Sequence, residues 1–475
     1  MNLHTMTLAE TSDALAAKKV SSVELVRESL KHIAKLNPVL NAFLRVDEDA
    51  SLAQALSLDQ EQARGSARSP LHGIPLAHKD MFYRSGVSSS CGTKLPLPVP
   101  TQTSTALQRL DTAGAIQLGV LNMSAFAVGP TGHNSLVGDC LNPWNTDRIP
   151  GGSSSGSASA VAARFVLGAL GSDTAGSIRL PAAMCGITGL KPTYGRVSRT
   201  GTMSLSPSLD VVGPLARTAY DCALLMQAIA GPDPQDPTTV HQPPADYLSA
   251  IKKPVRGWRV GIALNDLNAD LEPEVEQKLA SSAQLLRDLG CELVPVALPD
   301  LRPHEAAVSL ITASEGTAIH LSNLRQYGND VFTRQMRIRL ERGVVIPIST
   351  YINILRTRKA VLSAFMRKVF DKVDVLLAPA MPICTPLRSE TATDVAQNIE
   401  ATIHQLLRFT RPISFLGLPT LVLPAGFDTQ GMPLGLQLIG RPFAEPDLLR
   451  LGYAYQQETF WHAQSPECVQ HFHDT

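Results

Sequence analysis

The sequence lacks any charge imbalance. Across 475 residues Lys+Arg and Asp+Glu number 42 each, and the formal net charge is zero. No long block of one sign appears, so there is no electrostatic reason to expect nucleic acid or an anionic membrane as the main partner. No apolar run is long enough to span a bilayer, and the opening MNLHTMTLAETSDALAAKK carries no apolar signal core. The seven cysteines show no paired metal-type spacing. Their odd number, without a signal sequence, gives the expectation of reduced thiols in a cytoplasmic protein. Internal repeats and low-complexity tracts are also missing. The remaining composition, 44% apolar and 18% charged, is that of a soluble globular protein. At roughly 150 residues per domain the length allows up to about three domains.

Segments with strand and helix patterns alternate along the chain. Ser21-Ser22 opens a helix that Asn37-Pro38 is expected to end, and a second helix is expected over Gln54 to Arg64. Leu71 to Asp80 reads as a short apolar strand ending in charge, Thr105 to Gly114 as a helix and Ala115 to Leu121 as a strand. Residues 231–258, rich in proline and aspartate, form the best linker candidate. After them come a strand over Trp258 to Leu264, an amphipathic helix over Glu272 to Leu289 and a strand over Cys291 to Ala297. Residues 302–370 are mostly helical, and the charges of 334–342, Glu341 and Arg342 among them, read as a solvated helix face. Strands at Val373 to Ala378, Thr420 to Leu423 and Leu434 to Ile439 and a helix over Leu448 to Thr459 close the chain. This alternation predicts an α/β fold, with layers around a large mixed sheet.

One stretch stands out, Pro150 to Ala183, which reads PGGSSSGSASAVAARFVLGALGSDTAGSIRLPAA. Two serine clusters, Gly151 to Ser157 and Ser172 to Arg179, flank a small, alanine-rich apolar segment. The segment Ala158 to Leu170 reads as a buried helix, which would bring the clusters toward a common face. Loops of small residues let backbone N–H groups approach a ligand. Gly152-Ser153-Ser154-Ser155-Gly156 fits the nucleophile-elbow pattern, but the strand that this pattern requires before it is missing. No lysine follows Gly156 as a phosphate-binding loop would need. A plain Gly/Ser linker is the remaining bland reading, and the second cluster with Arg179 weakens it. Lys79 follows directly on an apolar run. It is either a surface lysine at a strand end or a desolvated one, whose lowered pKa would suit it to act as a base. His72, His78 and His133 lie near these motifs without metal-ligand spacing, and each reads as structural.

Lys79, the GGSSSGS segment and the SDTAGSIRLPAA segment together resemble the amidase signature family. The resemblance continues through Cys185 to Thr193, Gly213 to Arg217, Leu416 to Pro419 and Gly435 to Gly440, and so covers nearly the whole chain. It implies one large α/β domain over residues 1–475, its mixed sheet sandwiched between helical layers. Within it the catalytic core would span about 65–230, and a helical region over 302–420 would form the substrate pocket. It also implies a Ser–cis-Ser–Lys triad with Ser177 as nucleophile, Ser153 as bridging serine after a cis peptide bond, and Lys79 as base. Thr174, Ala175, Gly176 and Ser177 would offer N–H groups to the oxyanion. Alanine at 175 departs from the family's more frequent glycine. Asp173, Arg179 and Ser154 would brace the loops, and Ala127 would line the acyl pocket.

The activity so implied is hydrolysis of a carbon–nitrogen amide bond in a small molecule, with esters as a further substrate class. Neither metal nor cofactor is expected, and a homodimer stays open. Two other readings remain. One is the A subunit of a glutamyl-tRNA amidotransferase, which shares the triad and hydrolyses glutamine for its partner. In that group an aspartate stands five positions before the proline of the segment matching Phe409-Thr410-Arg411-Pro412. Here the position holds Leu407, so the expectation is apolar or aromatic substrate groups rather than glutamine. The other reading is a catalytically dead binding protein, against which retention of all three triad residues argues.

Overall fold

Eleven strands form a single mixed sheet in the computed structural model, which describes residues 5–263, 269–327, 331–392 and 399–470. In chain order they are β1 (Phe43–Val46), β2 (Pro75–Lys79), β3 (Ile116–Leu121), β4 (Gly168–Asp173), β5 (Thr188–Lys191), β6 (Val211–Ala216), β7 (Arg259–Ala263), β8 (Glu292–Val296), β9 (Val375–Pro379), β10 (Thr420–Phe427) and β11 (Pro433–Gly440). Across the sheet the order is β1-β3-β2-β4-β6-β5-β10-β11-β9-β7-β8. The pairs β3–β2, β2–β4, β9–β7 and β7–β8 are parallel, and the others are antiparallel.

Side chains alternate across a strand, and here both faces are covered. Leu76, Leu170, Val212 and Leu421 join one core with the helices Thr105–Thr112, Ala219–Ile229 and Glu445–Gln457. Their neighbours Ala77, Ala169 and Val422, with Leu215, join another core with Ser22–Leu40, Glu48–Ala63 and Ser155–Ala162. The expected α/β architecture, a large mixed sheet between helical layers, is the one found.

Several boundaries differ from the sequence reading. The first long helix, capped by Ser21 and Glu24, runs through Pro38 to Leu40 and stops at Asn41, whose backbone is left-handed. The Asn37 side chain bonds both the N–H and the C=O of Phe43, which fixes the exit there. The apolar segment between the serine clusters is not one helix. Helix Ser155–Ala162 takes its first half, and β4 takes its end together with Ser172 and Asp173. A short apolar run does not distinguish a buried helix from a buried strand. Residues 231–258 are not a free spacer, because Tyr247, Ile251 and Val255 are buried in the first core and the chain then re-enters the same sheet as β7. Of the strand expected over 258–264, Leu264 lies outside the described residues.

The topology places the serine clusters. β2 and β4 are adjacent and parallel, with Ala77 opposite Ala169 and His78 opposite Leu170. Their C-terminal ends, Lys79 and Asp173, therefore finish at the same edge of the sheet. Crevices outside the carboxyl ends of parallel strands are where ligands bind in such sheets.

Candidate active site

Lys79 is the last residue of β2 and is fully buried. Its Nζ lies 2.7 Å from Ser153 Oγ, 2.9 Å from Ser172 Oγ and 3.2 Å from Ser154 Oγ. Three hydroxyls replace bulk water, and no carboxylate bonds the amine among the described residues. Burial therefore lowers its pKa to about 7, against the weaker opposing charges of Asp210 and Asp173. Of the two sequence readings of Lys79, the structure selects the desolvated one.

Ser153 follows a cis peptide bond from Gly152. Glycine is required at 152 by close approach, since a Cβ there would stand 2.7 Å from Gly129 O and 2.9 Å from Gly132 N. The Ser153 carbonyl accepts from Ser124 N. Ser154 Oγ donates to Ser172 O and accepts from Ser172 N, so it ties the first cluster to β4.

After Asp173 the chain leaves β4 and forms the loop 174–178 before helix Arg179–Met184. Among the described residues none of the N–H groups of Thr174, Ala175, Gly176 and Ser177 donates a hydrogen bond within the protein. Ala175 does not adopt a positive φ, so alanine fits there without strain. Gly176 has a φ of +144°, and a Cβ on it would meet Thr410 Oγ1 at 2.6 Å. Thr174, Ala175 and Ser177 line a cavity of about 710 Å³, and Ala127 lines it too. Ser177 is half-buried there, and its hydroxyl makes no hydrogen bond among the described residues. Hydrogen bonds of catalytic groups in a site without substrate are often loose.

The family model for amidases matches residues 24–449. The chain belongs to the amidase family. Among curated relatives it is 40% identical to the A subunit of a glutamyl-tRNA(Gln) amidotransferase of Roseiflexus sp. (strain RS-1), over 98% of this chain and 99% of that one. Among solved structures it is similar to the peptide amidase of Stenotrophomonas maltophilia (TM-score 0.84, 29% identity, 96% and 97% of the two chains covered). It is also similar to the A subunit of a glutamyl-tRNA(Gln) amidotransferase from Thermotoga maritima (TM-score 0.81, 30% identity, 98% of each chain). An amidase-family hydrolase acts on carbon–nitrogen bonds, and the resemblance read from the sequence is borne out.

In this amidase the loops are held by a fully buried ion pair. Arg179 Nε and one terminal nitrogen each reach a different oxygen of Asp173 at 2.9 Å. The same guanidinium donates to Thr410 O at 2.9 Å and Ser414 Oγ at 2.7 Å. Burial alone would raise the Asp173 pKa, but the Arg179 charge and its hydrogen bonds outweigh this and lower it. The expected bracing residues Asp173, Arg179 and Ser154 thus come together around the two clusters.

Other supports were not legible in the sequence. Thr410 Oγ1 donates to Ala175 O at 2.6 Å, from 235 residues away. Thr174 Oγ1 donates to Asp210 at 2.6 Å, and that buried carboxylate also takes Ser204 Oγ and the N–H groups of Leu205 and Ser206. Ser172 belongs to the second cluster, and its hydroxyl reaches Lys79 through the pairing of β2 with β4, which no local pattern announces. His72 bonds Leu58 O, His78 bonds Gln117, and His133 lies between Asp139 and Thr391.

The reading of 334–342 as a solvated face holds for Arg334, Glu341 and Arg342, which are exposed, but not for Arg339, which is half-buried. Arg337 and Glu341 do pair at the surface, but Arg334, Arg339 and Arg342 line the cavity that holds Ser177, together with Arg411. Leu407 is on its wall as well, beside Ile403 and Ile399. A larger cleft, lined by Glu272, Glu274, Cys384 and Asp428, includes no serine of the two clusters.

Proposed function

We propose that this amidase hydrolyses a linear amide through an acyl-enzyme on Ser177. A serine hydroxyl needs a neighbour to take its proton before it attacks. Lys79, held neutral by burial, accepts the Ser153 proton, and Ser153 accepts the proton of Ser177 as Ser177 Oγ adds to the amide carbon. The N–H groups of the 174–177 loop stabilise the negative charge on the carbonyl oxygen. Loss of one such donor typically costs ~10²–10³ in rate. The carbon–nitrogen bond then breaks, and Ser153 returns a proton to the leaving amine while Lys79 replaces it. Water attacks the acyl carbon with Lys79 again as the final base, releasing the acid and restoring Ser177. Ser–Lys sites are a recognised variant of the serine triad, and esters fit the same path.

The observation that carries this reading is the buried Lys79, its pKa lowered to about 7, at 2.7 Å from Ser153, beside a loop whose N–H groups bond no partner among the described residues and whose Thr174, Ala175 and Ser177 line the cavity. A fluorophosphonate probe should label the wild-type protein. Ser177→Ala should fold, escape labelling and lose at least about 10³-fold in turnover. Unchanged labelling or near-normal turnover in Ser177→Ala would refute the assignment.

A second reading is favoured by the names of curated relatives, which are A subunits of glutamyl-tRNA(Gln) amidotransferases at up to 40% identity. Under it the chain would hydrolyse glutamine within a complex. The two readings separate when the purified chain alone is assayed on glutamine and on simple amides. Glutamine turnover that depends on an added partner protein and tRNA would favour the second.

A further inference from the structure

The ionisable side chains of the Ser177 cavity are out of balance. Among the described residues four arginines, Arg334, Arg339, Arg342 and Arg411, line it with a single carboxylate, Glu400, and Glu400 is already paired with Arg342 at 2.8 Å. Arg339 and Arg411 are half-buried, and among the described residues neither side chain has a hydrogen-bond or ion-pair partner. Burial lowers the Arg339 pKa to about 10, and the charges of Arg411 and Arg342 push it further than Glu400 restores. Burial lowers that of Arg411 also, and the charge of Glu305 opposes this.

Two guanidiniums in a partly desolvated wall that no carboxylate bonds among the described residues are unfavourable by themselves. Guanidinium forks match a carboxylate geometrically, and such charge-assisted pairs are the strong ones. Much of the remaining lining is apolar, through Leu205, Val308, Ile346 and Leu407 among others, with Ser309, Thr312 and His404 as further polar residues. Among the described lining residues an ammonium group would find no unpaired carboxylate.

We infer that the amide substrate is an acid: its acyl chain ends in a carboxylate seated between Arg339 and Arg411, and it carries no ammonium group. This rests on the proposed hydrolysis at Ser177 and narrows its substrate class to amides of dicarboxylic acids. It also replaces the expectation of purely apolar or aromatic substrates, which took in Leu407 but not the arginines.

The test compares succinamate, glutaramate and adipamate, each against its neutral diamide of the same shape, and glutaramate against glutamine, which differs by the ammonium. The expected result is a kcat/KM for the best acid amide at least about 100-fold above that of its diamide, carried mainly by KM. Arg339→Gln and Arg411→Gln should each bring that ratio down by at least about tenfold. Diamides and aryl amides turned over without any preference for the acid would overturn the inference and leave the Ser177 mechanism standing. Absence of both labelling and turnover would instead sink the mechanism. A measurement independent of turnover uses Ser177→Ala titrated calorimetrically with glutarate and adipate. Binding that is lost in the added Arg411→Gln variant supports the carboxylate seat. No binding of either dianion, or binding indifferent to both arginines, refutes it.

Discussion

Replacing Lys79 by methionine separates its chemical role from its structural cost. The amine is fully buried, with a pKa of about 7 in the folded protein against 10.5 for an ordinary lysine. Two consequences follow with defined signs. In catalysis the neutral amine is the active form, so kcat/KM should fall about tenfold per pH unit below about 7 and level off above it. In stability the unfolded chain binds the proton more tightly than the folded one. Stability therefore rises with pH between about 7 and 10.5, at up to about 1.4 kcal/mol per unit. Between pH 7.5 and 9 this single group contributes about 2 kcal/mol of increase. Lys191, also buried and lowered to about 7, adds a slope of the same sign and stays in the variant. Urea unfolding of both proteins at pH 7.5 and 9 isolates the Lys79 part, because all other groups cancel in the difference. Lys79→Met should show an increase smaller by about 2 kcal/mol, together with loss of activity and of its acid limb. Identical pH slopes in the two proteins would refute the claim that Lys79 is held neutral, and an unmutated enzyme without an acid limb when chemistry limits the rate would refute its role as base.

Two further outcomes test the frame around the serines. Arg179→Met leaves Asp173 buried without its partner, so chemical denaturation at pH 7 should report a loss of about 3–5 kcal/mol; a loss below about 1 kcal/mol would mean that the pair does not hold the loops. Gly176→Ala places a Cβ against Thr410 Oγ1 at a φ of +144°. The displaced loop should lower kcat by on the order of 10², and unaltered kcat would show that the N–H groups of 174–177 do not bind the oxyanion.

The sequence made the serine clusters legible because both are local: each is a run of small residues whose chemistry sits within eight positions. Lys79 was legible only as an alternative, since an apolar run ending in lysine looks the same whether the amine meets water or three hydroxyls. What decided it is the parallel pairing of β2 with β4, a contact between segments some 90 residues apart in the chain. Thr410 and Asp210 were out of reach for the same reason, because nothing near either residue announces Ala175 or Thr174. Arg339 was misread through its helix. In Arg334–Glu341 only Met336 and Leu340 are buried apolar positions, so its pattern marks the core side but not which polar positions face solvent and which face the cavity. Pro38 misled in the opposite way: it sits in the last turn of a helix whose end is set by Asn41 and by the side chain of Asn37.

Lys79 is fully buried and does not line the cavity that the arginines face, and the base and the arginines do not share an electrostatic fate. The charges that act on Lys79 come from Asp210, Asp173 and Cys91, and no arginine is among its leading causes. Arg339 is governed by burial, Arg411, Arg342 and Glu400. A carboxylate bound between Arg339 and Arg411 therefore neutralises charge at the far end of the substrate while leaving Lys79 neutral. Had the anion seat lain beside the triad, a bound carboxylate would favour the ammonium form and raise the lysine pKa, which would remove the base from neutral pH when the substrate arrives. The separation lets binding energy come from ionic contacts that do not alter the proton transfers. The acid limb of kcat should accordingly fall at the same pH for an acid amide and for its diamide. A limb displaced upward by about one unit or more for the acid amide alone would place the carboxylate next to Lys79 instead.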